Sequence, residues 1–155
     1  MKSRSVFLAL SVAAGVLLAP AAMACQPSRG TPSEIAATIS AAQADAWDKA
    51  DLVFVARIEQ SRTKPSSSPF GMIEVDLMPL TWLKGQAGPW QFGLADTGSS
   101  MCGPIPGFDA IRGMPGDTFI VFSQGDTPGQ DTVMFTVKAS ELVEPRALAA
   151  LKAAD

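Results

Sequence analysis

Few side chains in this 155-residue sequence are equipped for chemistry, because it contains no His, no Tyr and no Asn. That composition excludes Ser-His-Asp and Cys-His nucleophile sets, His-ligated metal sites and N-linked glycosylation. What remains is a pair of thiols, Cys25 and Cys102, and one suggestive acidic loop, Asp96-Thr97-Gly98-Ser99-Ser100. Such a loop can hold one of two carboxylates that share a proton and activate water, so one copy per chain implies a homodimer. In the enzymes whose active loop this stretch resembles, an apolar pair followed by Gly packs beneath the loop, and that pair has no good match here. Only Ile111-Arg112-Gly113 comes near, with Arg in the pair and too little sequence between. Asp45, Asp48 and Asp51 recur at i, i+3 and i+6 on one helix face. They lack the roughly six to eight oxygens and the glycine turn that calcium uses, so a solvated face is expected. Met72, Met78, Met101, Met114 and Met134 form no Met-x-x-Met cluster for copper(I) and read as core filler. No catalytic group, metal or cofactor is expected, and the chain is read as non-enzymatic.

The elements that position these residues begin with a leader. Residues 1–24 read as a secretory signal peptide: Lys2 and Arg4 form a positive start, residues 6–18 are an uncharged apolar run, and Ala22-Met23-Ala24 is an A-x-A cleavage site. The run is short for a membrane span, and no later stretch replaces it. Cleavage there leaves residues 25–155 as one domain with Cys25 at its amino terminus, in a secreted or periplasmic setting. A lipid-anchored form is the alternative, although Ala22 and Met23 make a poor lipidation signal. Two cysteines behind a signal peptide favour a Cys25–Cys102 disulfide. Chain-entropy reasoning gives such a bridge about 4 kcal/mol, with strain able to reduce it.

Removing Lys2 and Arg4 leaves ten basic and fifteen acidic residues, a charge of −5. No Lys/Arg cluster remains, which argues against nucleic-acid binding. The partner expected is an extracytoplasmic protein; the oligomeric state is left open. Thr31-Pro32-Ser33-Glu34 starts a helix by capping box and amino-terminal proline. Ile35, Ile39, Ala42 and Ala46 follow at helical spacing to about Asp48, with a break near Ala44 as an alternative. Strands are predicted over 51–59, 72–77 (continuing past Pro79 to Leu83 if a bulge absorbs the proline), 90–95, 118–122 and 132–137, with a terminal helix over 145–154. Residues 64–69 read as an exposed loop tip. Trp82 and Trp90 belong either in the core or on an aromatic platform, with the core favoured. The fold expected is mainly β: a five-stranded OB-fold-like closed β-barrel with flanking amino- and carboxy-terminal helices, a five-stranded sandwich being the alternative.

The order of several features is more specific than any one of them. Cys25 precedes Ala50-Asp51-Leu52-Val53-Phe54-Val55-Ala56-Arg57; an alternating acidic strand then ends in Leu83-Lys84-Gly85. Ser99-Ser100-Met101-Cys102-Gly103 follows, and then Gly116-Asp117-Thr118-Phe119-Ile120-Val121-Phe122-Ser123. This resembles the netrin-like domain, the OB-fold module of the tissue inhibitors of metalloproteinases and their bacterial relatives. The resemblance implies a bridge from the first cysteine to the Cys-Gly cysteine, here Cys25 to Cys102. It also implies a zinc-chelating terminal amine and a metalloprotease as one possible class of partner. The contact edge carried over is Cys25, Gln26 and Pro27 with Ser99, Ser100, Met101 and Gly103. The inhibitors begin Cys-x-Cys, whereas this chain reads Cys25-Gln26-Pro27 and inserts a capped helix before its first strand, so a general binding domain is the expected function. The alternatives are a homodimeric aspartic protease using Asp96 and a structural envelope lipoprotein.

Overall fold

The computed structural model describes residues 30–65, 72–88, 91–96 and 107–154. Helix α1 (Pro32–Lys49) opens as its capping box dictates: the Thr31 hydroxyl accepts from the Glu34 amide, and the Glu34 carboxylate accepts from the Thr31 amide at 2.7 Å. The helix runs unbroken through Ala44. Of the apolar stripe, Ala46 is buried, while Ile35 and Ile39 stay 39% and 45% exposed. Only the last two turns meet the body of the molecule, through Gln43 and Ala46.

Five antiparallel strands form one sheet in the order β3-β2-β1-β4-β5. They are β1 (Leu52–Lys64), β2 (Met72–Lys84), β3 (Phe92–Ala95), β4 (Thr118–Ser123) and β5 (Val133–Lys138). The β1–β2 register slips three times, leaving Leu83, Leu80 and Glu59 without a direct partner. Such bulges bend a strand and add twist, which lets a sheet curl over one face. β2 does pass Pro79, and the slip beside it is the bulge at Leu80. β1 outruns its expected end because Arg62 pairs with Glu74 and Asp76, and Lys64 with Glu74, across the ladder.

Alternation sorts the strands into two faces. Phe54, Ala56 and Ile58 of β1 join Val75, Leu77, Phe92, Leu94, Phe119, Val121 and Val133 in one buried cluster. Val53, Val55, Ile120, Phe122 and Val137 face the other way, beneath Ala46, Leu142 and helix α2 (Pro145–Ala154). With both faces covered, β1 is buried from Leu52 to Ala56. Among the described residues the sheet is not closed and has two ends, β3 and β5, so the five-stranded antiparallel sheet expected from sequence is present without the barrel closure. β3 is four residues long, and the outer edge of β5 is occupied by a parallel bridge from Phe108 to Thr136. Gly107, with φ +91°, makes that approach possible; a Cβ there would lie 2.5 Å from the Phe135 ring. No described helix is long and apolar enough to cross a membrane.

Candidate functional site

A cleft of about 230 Å³ opens where a short 3-10 helix, Asp109–Arg112, crosses the end of the sheet. Its walls carry Asp109 and Arg112 on that helix, Asp117 before β4, Lys138 at the end of β5 and Glu141 beyond it, over a floor of Gly113 and Phe119. The frame is held by backbone. The Ala110 amide donates to the Thr136 hydroxyl at 3.1 Å. Gly116 and Asp117 exchange hydrogen bonds with both backbone groups of Ile58, at 2.8 and 2.9 Å. Gly113 is required there, because a Cβ would collide with Ile58 Cδ1 and lie 2.7 Å from the Phe119 ring.

The charges on this frame are mostly unengaged. Among the described residues, no hydrogen bond or ion pair holds the side chains of Asp109, Arg112 or Glu141. Asp117 is the exception: its carboxylate accepts from the Met114 amide at 3.0 Å and pairs loosely with Lys138 at 4.0 Å. Burial, and then the charge of Glu141, pushes the Asp109 carboxyl above its ordinary range. The cleft therefore has an acidic part, Asp109 facing Glu141, and basic groups, Arg112 and Lys138.

A second mixed-charge region differs. Trp47 of α1 is flanked by Lys84 Nζ at 5.6 Å and the Arg146 guanidinium at 5.7 Å. Lys84 donates to the carbonyls of Trp47 (2.8 Å) and Ala50 (2.5 Å), closing the carboxy-terminal end of α1. Arg146 binds Asp48 and the buried Glu144. Beside them the buried Gln43 amide donates to the Glu141 carbonyl (3.0 Å) and accepts from Val143 (2.8 Å) and Glu144 (3.1 Å).

The residues singled out from sequence fare unevenly. Cys25, Gln26, Pro27, Ser99, Ser100, Met101, Cys102, Gly103 and Trp90 lie outside the described residues. Asp96 sits at the end of β3, its amide bonded to the Ile73 carbonyl at 2.9 Å. Asp45, Asp48 and Asp51 do not converge: they engage Lys49, Arg146 and the Gly125 amide respectively. Trp82 joins the core, 4.7 Å from the Phe54 ring, rather than a platform. Met114 departs from the core-filler reading, being 68% exposed. The cleft residues were not singled out as a group; Asp109-x-x-Arg112 and Lys138-x-x-Glu141 repeat one acid–base spacing, too common a pattern to mark a site. In comparisons with known proteins, no protein-family model and no curated protein matches this chain.

Proposed function

We propose that this chain is an extracytoplasmic, non-enzymatic binding domain of the netrin-like type, exported by residues 1–24 and bridged from Cys25 to Cys102. The observation that supports the reading is the strand order. Joining the two ends of β3-β2-β1-β4-β5 would make a closed five-stranded barrel. The ends already approach each other: the Ala95 amide of β3 donates to Gln130 Oε1, just before β5, at 2.6 Å. Phe92 and Leu94 also share their core with Val133. The proposed contact edge is Cys25, Gln26 and Pro27 with the Ser99–Gly103 stretch that follows β3. A metalloprotease would be met there by the free α-amine of Cys25, a nitrogen ligand of low pKa.

The test starts from exported protein, whose intact mass should place its start at an unlipidated Cys25, with non-reducing peptide mapping finding the bridge. One residue added before Cys25 should abolish capture of the partner while leaving the melting temperature unchanged. Equal capture by native and extended forms would remove the terminus as the site. Absence of any stoichiometric partner would favour the structural envelope reading. Acid proteolysis that is lost in Asp96→Asn would favour the protease.

A further inference from the structure

We propose that the cleft beneath the Asp109–Arg112 helix binds a small zwitterion, an α-amino acid with an apolar side chain, its ammonium between Asp109 and Glu141 and its carboxylate on Arg112. The inference goes beyond the protein-binding edge and does not depend on it. Its first support is size: about 230 Å³ falls below the roughly 300–1,000 Å³ usual for ligands of drug size.

Charge is the second support. Elsewhere in the described molecule mixed charges are paired, as in Arg62 with Glu74 and Asp76, or Arg146 with Asp48 and Glu144. Here Asp109, Arg112 and Glu141 share one cavity with no such bond among the described residues. Like charges held together, as Asp109 and Glu141 are, disfavour each other until a cation comes between them. In a 3-10 helix residues i and i+3 eclipse, so Asp109 and Arg112 lie along one side of their helix and offer opposite charges to one short ligand. Phe119 gives the cleft an apolar floor for the ligand's side chain, and Gly113 lets the chain pack tightly against Ile58 and that ring. The Ile58 and Thr136 hydrogen bonds fix both walls beforehand, which lowers the ordering cost of binding.

Titration of the full mature protein with L-leucine, followed by heteronuclear NMR and calorimetry, tests this. Leucine should shift the amides of Asp109, Gly113 and Glu141 saturably. Leucinamide, which lacks the carboxylate, and isocaproate, which lacks the ammonium, should each bind at least tenfold more weakly. Asp109→Asn, near in shape to the native side chain, and Arg112→Gln, which removes the guanidinium charge, should each weaken leucine at least tenfold without lowering the melting temperature. No shifts at millimolar leucine would overturn the proposal. So would leucinamide binding as tightly as leucine, or leucine affinity unaffected by both substitutions.

Discussion

The Trp47 corner and the cleft are built from the same kinds of side chain and differ in how those side chains are engaged. At the corner, Lys84, Arg146, Asp48 and Glu144 all hydrogen-bond within the molecule, and Gln43 makes three bonds while fully buried. These groups fasten α1 to the sheet and to the start of α2. In the cleft the backbone does most of the fastening, with Asp117 holding the Met114 amide, and the side chains of Asp109, Arg112 and Glu141 make no such bonds. Charge that holds elements together is costly to remove, whereas charge that faces a cavity costs little stability and can even lower it.

The largest effect should follow Gln43→Ala. It strips the Val143 and Glu144 amides and the Glu141 carbonyl of their partner at a buried position, for about 3 kcal/mol. Thermal unfolding should show a fall of about 10 °C. Lys84→Met keeps the aliphatic stem and removes the ammonium from the end of α1, costing about 1.5 kcal/mol in urea denaturation. If both substitutions prove neutral, the corner does not anchor α1.

The smallest effect has the opposite sign. The folded Asp109 carboxyl titrates above its ordinary value, so between the two values the native state binds more protons than the unfolded chain. Stability therefore falls as pH rises through that window. Asp109→Asn should be more stable than the native protein at neutral pH, by less than about 1 kcal/mol given the partial exposure. The advantage should fade as acid protonates the native carboxyl. A stability loss at neutral pH would show that Asp109 supports the fold.

Sequence patterning located all five strands and both helices because alternation and capping are local signals. The Thr31 box, the 145–154 helix and the bulge beside Pro79 were readable for that reason. Strand β1 outruns its expected end because Arg62 and Lys64 carry no apolar alternation; their strand conformation comes with carboxylates on β2. The spacing of Ile35 and Ile39 marks a helix face, yet spacing alone does not say how far the helix projects beyond its contacts. The cleft was illegible for a stronger reason. Asp109 and Glu141 are brought together by Thr136 reaching the Gly107 and Ala110 backbone, a tertiary event without a local sequence signature.

The position of β1 has a kinetic consequence. β1–β2 and β4–β5 are hairpins that close over short stretches of chain, but β1 must also find β4, with Val53 opposite Phe122. Closing so long a loop carries an entropic barrier of about 3–4 kcal/mol before contacts offset it. The meeting of the two hairpins should therefore limit the folding rate, as expected for topologies rich in distant pairings. A covalent link from Cys25, ahead of β1, to Cys102, ahead of β4, would shorten that search. Oxidised protein should then refold faster than reduced protein in stopped-flow experiments, with a smaller change in the unfolding rate. Equal refolding rates would mean that the hairpins meet without help from the link.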